Sequence, residues 1–297
     1  MNIDLRSCEG TLAETPLYIG VSTKMYMGYG SSVQWLKDIR HEVDSRPALA
    51  AGRVVPFVVP SFPVLPAARD ILAGSVLQLG AQNSGWADGP WTGEVAPSML
   101  AELGVTLVEL GHSERRTHFA EDDAMVARKA GSVIAAGISP LLCVGEPARE
   151  KPSIAAHFIY EQLAAAVAGN WDDARTLIIA YEPVWAIGAA EPADPDYISS
   201  VINRLRELLE GRGLSSLPII YGGSAKPGLL PQLSGTSGLF LGRFAHDAAN
   251  FGAVLDEALD LTAGHRPRVS TRRAQVPDSG LETWRPSFCK RKRWPLD

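Results

Sequence analysis

Eight short apolar runs, rich in Val, Ile and Leu, recur along the chain between more polar segments. They are LYIGVS (17–22), VVPFVVP (54–60), LQLGAQN (77–83), TLVELGHS (106–113), SPLLCVG (139–145), TLIIAYEP (176–183), PIIYGGS (218–224) and GLFLGR (238–243). The runs are almost continuously apolar instead of alternating, which is typical of strands covered on both faces in a parallel sheet. The pattern therefore predicts eight parallel strands.

The segments between these runs carry helical signals. The clearest covers residues 195–212, where Asp194 is a candidate N-cap, Pro195 occupies the first helical position and Gly211 and Gly213 end the helix. Its predicted apolar stripe consists of Ile198, Val201, Ile202, Leu205, Leu208 and Leu209. Weaker helical patterns cover residues 32–45, 122–136, 154–168 and 247–263. Eight strand-then-helix units predict an α/β protein, a (β/α)8 TIM barrel, with a doubly wound open sheet as the alternative.

Length and composition favour one large domain. The chain has 297 residues, of which 46% are hydrophobic and 21% charged, a composition that argues against global disorder. No apolar run approaches the roughly 20 residues of a membrane span, and the first 15 residues lack an apolar signal core. Cys8, Cys143 and Cys289 are too widely spaced to suggest a disulfide framework or a zinc site. We expect a cytoplasmic protein.

The net charge of −5 hides a difference in charge between the C-terminal tail and the rest of the chain. Residues 265–297 carry nine Lys or Arg and three Asp or Glu, so this tail has a charge of +6 and the rest of the chain −11. We interpret residues 1–16 as an N-terminal extension, 17–264 as the barrel and 265–297 as a disordered basic tail; the alternative for the tail is an arm that contacts nucleic acid or membrane. An acidic body disfavours nonspecific nucleic-acid binding, and any phosphate would need a focused local site. We expect neither a nucleic-acid nor a membrane partner.

The residues that close each run are the place to look for chemistry. In both architectures, ligands bind beyond the carboxyl ends of the parallel strands. These ends carry one lysine, one histidine, two glutamates and several glycines: Ser22 with Lys24, Asn83, His112 with Ser113, Gly145 with Glu146, Glu182, residues 222–224, and Gly242 with Arg243.

Three of these side chains suit acid–base chemistry, although each has a plainer interpretation. Glu182 precedes PVWAIGA, a stretch that can close over it, and is either a general base or a helix-capping or ion-paired carboxylate. Lys24 is either a cation for a substrate anion or a solvated surface charge. His112 is followed by SERR, which has the pattern of a starting helix. It is either a group that polarises a carbonyl or moves a proton, or a structural histidine.

The glycine-containing stretches YGGSAKPG and FLGRF predict an anion site. They place the backbone N–H groups of Ser224, Gly242 and Arg243 at neighbouring strand ends, each expected to lead into a helix. Loops seven and eight commonly hold phosphate in such barrels, whereas tight turns alone would also explain the glycines. Together, a base, a neutral electrophile, a cation and an anion site suit proton transfer beside the carbonyl of a phosphorylated sugar. No metal or dinucleotide motif competes, and no cofactor is expected.

The same stretches resemble one family. GHSERR, AYEPVWAIG, YGGSAKPG, STKM, AQN, TGE and CVGE stand in the order found in triosephosphate isomerases, and the resemblance runs from about residue 17 to residue 263. It implies that Glu182 is the base and His112 the neutral electrophile, two roles that are well established for this family. It further implies that Lys24 is the cation that favours an anionic substrate, and that Glu114 orients Lys24.

The resemblance also implies a lid, a phosphate site and a dimer. Residues 183–189 correspond to the closing lid, and Gly188, Ser224, Gly242 and Arg243 to the backbone donors that bind phosphate. Family members are typically homodimers whose third loop enters the neighbouring active site. Here that loop is SGWADGPWTGE, with Thr92 the residue expected to reach the partner subunit.

The departures from the family pattern point to a branch of it. Ser22 stands where the family has asparagine, Thr23 where tryptophan is usual and Arg243 where a second glycine is usual, and the lid continues AAEPADP instead of Thr-Gly-Lys. Ser22 frees volume near the reacting end of the substrate, and the Arg243 guanidinium can contact phosphate or close the pocket wall.

Serine and arginine at these two places resemble the branch that interconverts L-erythrulose 1-phosphate and D-erythrulose 4-phosphate. The expected activity is therefore cofactor-independent isomerisation of this tetrulose phosphate through an enediolate. The alternatives are a triosephosphate isomerase acting on dihydroxyacetone phosphate and glyceraldehyde 3-phosphate, and a noncatalytic barrel that binds sugar phosphates.

Overall fold

The computed structural model describes residues 15–188 and 192–264. The predicted basic tail lies wholly, and the predicted N-terminal extension almost wholly, outside the described residues. The domain boundaries at residues 17 and 264 therefore stay a prediction.

Eight parallel strands form a closed barrel in sequential order. They are β1 Leu17–Ser22, β2 Val54–Val59, β3 Gln78–Ala81, β4 Leu107–Leu110, β5 Ser139–Val144, β6 Ile178–Tyr181, β7 Ile219–Tyr221 and β8 Gly238–Leu241. Strand β1 pairs in parallel with β2 and also with β8, where Ile19 lies opposite Leu239. This closure confirms the predicted barrel and excludes the open doubly wound sheet.

The described part of the chain contains eight α-helices, which surround the barrel. They are α1 Tyr29–Asp44, α2 Leu65–Leu72, α3 Pro97–Glu102, α4 Ser113–Phe119, α5 Asp123–Ala135, α6 Pro152–Ala166, α7 Pro195–Glu210 and α8 Ala248–Thr262. The predicted N-cap of α7 is confirmed, because Asp194 Oδ1 accepts hydrogen bonds from the N–H groups of Asp196 and Tyr197. The prediction that Leu208 belongs to the buried stripe of α7 was wrong: it lies at the edge of that stripe and is exposed.

The sequence pattern predicted one helix after each strand, and this prediction was wrong at two strands. Two helices, α4 and α5, follow β4, whereas the connection from β7 to β8 contains a single 3-10 turn at Leu230–Gln232. Pro227 and Pro231 explain this difference, since a proline inside a helix removes a hydrogen bond and clashes with the preceding turn. Gly228 between them has a positive φ of 86°, which also interrupts a helix.

The barrel has an interior core and an outer core. The outer core lies between the strands and the helices. The interior core is a separate cluster whose buried members are Phe57, Val59, Leu107, Leu141, Cys143, Ile178, Ala180, Ile220 and Phe240. The rings of Phe57 and Phe240 stack at 5.7 Å and help to fill the space inside the barrel. The interior is therefore packed, and a ligand must bind at the rim.

Within the described residues, none of the helices is both long and apolar enough to cross a membrane.

Candidate active site

A cavity of about 350 Å³ opens at the rim formed by the carboxyl ends of the strands. All nine side chains or backbone positions predicted from the sequence line it: Ser22, Lys24, His112, Glu114, Glu182, Gly188, Ser224, Gly242 and Arg243. Barrel closure brings them together, because they follow five different strands. The third loop, with Thr92, is not part of this lining.

Lys24 is fixed at both its backbone and its side chain. Its φ is +48°, a conformation that costs a non-glycine residue energy and needs support from its surroundings. Its carbonyl accepts hydrogen bonds from Ser61 Oγ at 2.7 Å and Gln82 Nε2 at 2.9 Å. Its Nζ donates to Glu114 Oε1 at 2.7 Å. Burial opposes the charge of Lys24, but the hydrogen bond and charge of Glu114, together with the charges of Glu182 and Glu109, outweigh burial and raise the pKa of Lys24.

His112 is a neutral hydrogen-bond donor towards the cavity. It is the N-cap of α4, and its Nδ1 accepts a hydrogen bond from the backbone N–H of Glu114 at 3.1 Å. An Nδ1 that accepts carries no proton, so the proton of the neutral ring is on Nε2. Burial, followed by the charge of Lys24, lowers the pKa of His112 to about 4. At neutral pH the ring therefore presents Nε2–H without a net charge.

Glu182 presents a buried carboxyl group opposite this imidazole. Its Oε2 lies 3.3 Å from His112 Nε2, and only 4% of the residue is exposed. Its side chain packs on Gly222, where a Cβ would lie 2.5 Å from Glu182 Cγ, so no larger residue fits there without displacing the carboxyl group. Burial, followed by the charge of Glu109, raises the pKa of Glu182 to about 8. A carboxyl with so high a pKa is a much stronger base than an exposed one.

Glu109 is a lining residue that the sequence analysis missed. It lies on β4 and is 4% exposed, and its Oε2 accepts a hydrogen bond from Ser22 Oγ at 2.8 Å. Burial raises the pKa of Glu109 to about 7, although Ser22 and the charge of Lys24 oppose this rise. The sequence did carry a signal for it: Glu109 is the single charged residue inside the apolar run TLVELG.

The predicted lid is attached to the barrel through Glu146. Its described part, residues 183–188, contains a 3-10 turn at Val184–Ala186; residue 189 lies outside the described residues. Trp185 Nε1 donates to Glu146 Oε1 at 2.8 Å. The hydroxyl groups of Tyr181 and Tyr197 donate to the same oxygen at 3.2 and 3.0 Å. Glu146 is 1% exposed, so one buried carboxylate oxygen holds the lid in its present position.

The loops after β7 and β8 form the remaining wall of the cavity. The expectation that each stretch leads into a helix is confirmed for β8, which is followed by a 3-10 turn, Arg243–His246, and then by α8. It was wrong for β7, because the described connection from β7 to β8 contains no α-helix. Ser224 and Gly242 still line the cavity. Short turns can present backbone N–H groups to an anion just as helix ends do. The guanidinium of Arg243 lies 5.7 Å from the ring centre of Tyr26 and extends the cavity wall.

The fold and the cavity define a class of protein. A (β/α)8 barrel with a buried carboxyl group of raised pKa, a neutral imidazole donor and a fixed ammonium group at its rim holds the groups that proton transfer next to a carbonyl requires.

Comparison with known proteins gives the family. The family model for triosephosphate isomerase matches residues 17–258. The L-erythrulose-1-phosphate isomerase of Pectobacterium atrosepticum is 43% identical over 257 residues, which cover 85% of this chain and 99% of that protein. The L-erythrulose-1-phosphate isomerase of Mycolicibacterium smegmatis is 38% identical over 255 residues, or 83% of this chain and 95% of that protein.

A solved structure supports the same conclusion. The triosephosphate isomerase of Bartonella henselae is 30% identical and superposes with a TM-score of 0.70, covering 81% of this chain and 98% of that one. The chain therefore belongs to the triosephosphate isomerase family.

Proposed function

We propose that this protein isomerises L-erythrulose 1-phosphate to D-erythrulose 4-phosphate by proton transfer through an enediolate, without a cofactor. The observation that carries the chemistry is the approach of a buried carboxyl group, Glu182, to within 3.3 Å of the neutral Nε2–H of His112. The choice of substrate is supported by the relatives of 34–43% identity, which are named L-erythrulose-1-phosphate isomerases.

In the proposed reaction, the Glu182 carboxylate removes the proton from C3 of the substrate. The electron pair of the broken C–H bond forms the C2–C3 double bond, and the carbonyl π electrons move to O2. The Nε2–H of His112 donates a hydrogen bond to this oxygen and assists proton exchange between O2 and O3. Glu182 then returns its proton to C2, and the new carbonyl forms at C3. The phosphate stays on the same carbon, but the chain is now numbered from its other end because the carbonyl has moved. The product is therefore D-erythrulose 4-phosphate.

The surrounding groups are proposed to favour the charged intermediate. Lys24, held by Glu114, supplies a positive charge to a substrate that becomes more anionic as the enediolate forms. The N–H groups of Gly188, Ser224, Gly242 and Arg243 are proposed to bind the phosphate. Ser22 contributes space and a hydroxyl group near the reacting carbons. Closure of the lid would exclude water from the enediolate.

A comparison of two substrates tests this proposal. We expect kcat/KM for L-erythrulose 1-phosphate to exceed that for dihydroxyacetone phosphate by at least about 100-fold. The protein should come from a host without its own triosephosphate isomerase, and Glu182→Gln, purified in parallel, gives the background of contaminating activity. A preference of about 100-fold for the triose phosphate would overturn the proposed substrate. Wild-type activity no greater than that of the Gln variant on either sugar, with phosphate still bound, would favour a binding role.

We also propose that the protein is a homodimer in which Thr92 reaches the partner's active site. Thr92 is exposed in the single chain, and beside it the rings of Trp86 and Trp91 pack at 4.7 Å, so the loop has a definite shape. Light scattering should give twice the mass of the chain. Thr92→Arg should shift the protein towards monomer and reduce activity with it, whereas a wild-type monomer of full activity would contradict the proposal.

We propose a cytoplasmic location, where phosphorylated sugars are metabolised. The free thiol of the buried residue Cys143 suits a reducing compartment. In fractionated cells that express the protein from its own gene, we expect it to accompany cytoplasmic markers; its recovery with the markers of another compartment would contradict the proposal.

A further inference from the structure

Glu109 occupies a position in the barrel where its neighbours are apolar. It lies two residues after Leu107 on β4, and the same interior core contains side chains such as Leu141, Cys143 and Ile220. Interiors of such barrels are normally filled by branched apolar residues. A buried carboxyl group costs stability unless it is hydrogen-bonded or used. The position of Glu109 therefore needs an explanation.

One of the two oxygens of the Glu109 carboxyl group already accepts a hydrogen bond from another residue. Oε2 accepts the hydrogen bond of Ser22 Oγ, which fixes the orientation of the group. Oε1 lies 4.0 Å from His112 Nε2, which is beyond hydrogen-bonding distance. Since Glu109 lines the cavity, Oε1 can accept a hydrogen bond from a bound molecule.

The depth of Glu109 indicates which part of a substrate it would meet. It lies within β4, whereas His112 lies beyond the end of that strand, so the backbone of Glu109 is closer to the barrel floor. Ser224 and Gly242, the proposed phosphate donors, follow β7 and β8 and line the same cavity. A substrate with its phosphate at Ser224 and Gly242 and its reacting carbons between Glu182 and His112 directs its unphosphorylated end towards Ser22 and Glu109.

We infer that Glu109, oriented by Ser22, is a specificity-determining residue whose Oε1 accepts a hydrogen bond from the terminal hydroxymethyl group of a four-carbon ketose phosphate. This inference rests on the proposed function and names the residue that recognises the hydroxyl group on the fourth carbon of the substrate. Dihydroxyacetone phosphate lacks that hydroxymethyl group and leaves the buried carboxyl without its partner. Sites that bind a substrate hydroxyl in this way discriminate strongly against analogues that lack it.

The test combines a protein variant with a substrate variant. We expect wild-type kcat/KM to fall about 100-fold for the 4-deoxy analogue of L-erythrulose 1-phosphate. In Glu109→Leu, kcat/KM for the natural tetrulose phosphate falls by a similar factor, while removal of the 4-hydroxyl costs less than about threefold. Such non-additivity is the signature of a direct contact. If removal of the 4-hydroxyl lowered kcat/KM by the same factor in wild type and in Glu109→Leu, the inference would be wrong.

Matched controls separate specificity from structural damage. Leu107→Met changes an apolar interior side chain on the same strand and should leave the ratio of tetrulose to triose activity within about twofold of wild type. The inhibition constant of inorganic phosphate should be unchanged in every variant. If Glu109→Leu does not fold, Glu109→Gln keeps the shape and one acceptor oxygen; we expect a loss of about tenfold in the tetrulose-to-triose ratio. An unchanged ratio in the folded Gln variant overturns the inference.

The two proposals can fail separately. A wild-type enzyme that prefers the triose phosphate contradicts the proposed function. A wild-type enzyme that prefers the tetrulose phosphate, with a ratio that Glu109 variants do not change, contradicts this inference alone.

Discussion

Replacing Glu182 by glutamine should make the protein inactive and, above neutral pH, more stable. Glutamine keeps the shape of the side chain and its packing on Gly222 but has no proton to lose. As a general base typically contributes about 10²–10⁴-fold, we expect kcat to fall by at least about 10². The same substitution removes a carboxyl group that is expensive to ionise in the folded protein.

The sign of the stability effect follows from the pKa. The folded protein raises the pKa of Glu182 from 4.5 to about 8. The folded state therefore holds the proton that the unfolded state loses above pH 4.5, and wild-type stability falls as the pH rises from 4.5 to about 8. The full difference corresponds to at most about 5 kcal/mol. This figure already includes the repulsion between Glu182 and Glu109, which is one cause of the raised pKa of Glu182.

Thermal unfolding at two pH values measures this effect. Between pH 5 and pH 8.5 the shifted pKa corresponds to at most about 4 kcal/mol. One kcal/mol moves the Tm of a domain of this size by roughly 2–4 °C, so the Tm advantage of Glu182→Gln over wild type should grow by up to about 8–15 °C. Glu102→Gln, a change at an exposed position of α3, is the control and should show no such growth. A Tm advantage of Glu182→Gln that is independent of pH, or that shrinks as the pH rises, would contradict the raised pKa of Glu182.

Three further predictions concern the neighbouring groups. Nitrogen-15 NMR of labelled histidine should find His112 neutral with its proton on Nε2 from pH 5 to pH 9, because its pKa is lowered to about 4; a titration near pH 6.5 would contradict the assigned tautomer and charge. Lys24→Ala should reduce kcat/KM by about 10³ and Glu114→Gln by about tenfold, since the second change loosens the ammonium group that the first removes. If Glu114→Gln still cost tenfold in the Lys24→Ala protein, Glu114 would act independently of Lys24. Trp185→Phe removes the hydrogen bond to Glu146 while keeping an aromatic ring. It should change kcat by about threefold to tenfold and speed up lid motion in NMR relaxation experiments. Identical lid dynamics in the two proteins would show that the hydrogen bond from Trp185 to Glu146 does not hold the lid.

The sequence determined the barrel and most of the cavity lining because these depend on local patterns. Continuous apolar runs specify strands buried on both faces, and the residues that end such runs must lie at one rim in any parallel sheet. Lys24, His112 and Glu182 could therefore be placed near each other before the barrel was seen. The absence of an α-helix between β7 and β8 could also have been predicted, from Pro227 and Pro231, which lie four positions apart.

The tertiary structure alone decided the protonation chemistry and the role of Glu109. The pKa values of His112 and Glu182 depend on burial and on charges that lie far away in sequence, and no local pattern contains those distances. Glu109 interrupts an apolar run, but its meaning depends on which face of β4 points into the barrel and on Ser22, 87 residues away, lying 2.8 Å from its carboxyl group. A sequence specifies which groups are present at the strand ends; only the closed barrel brings them within a few ångströms, where electrostatic interaction is strong enough to set their chemistry.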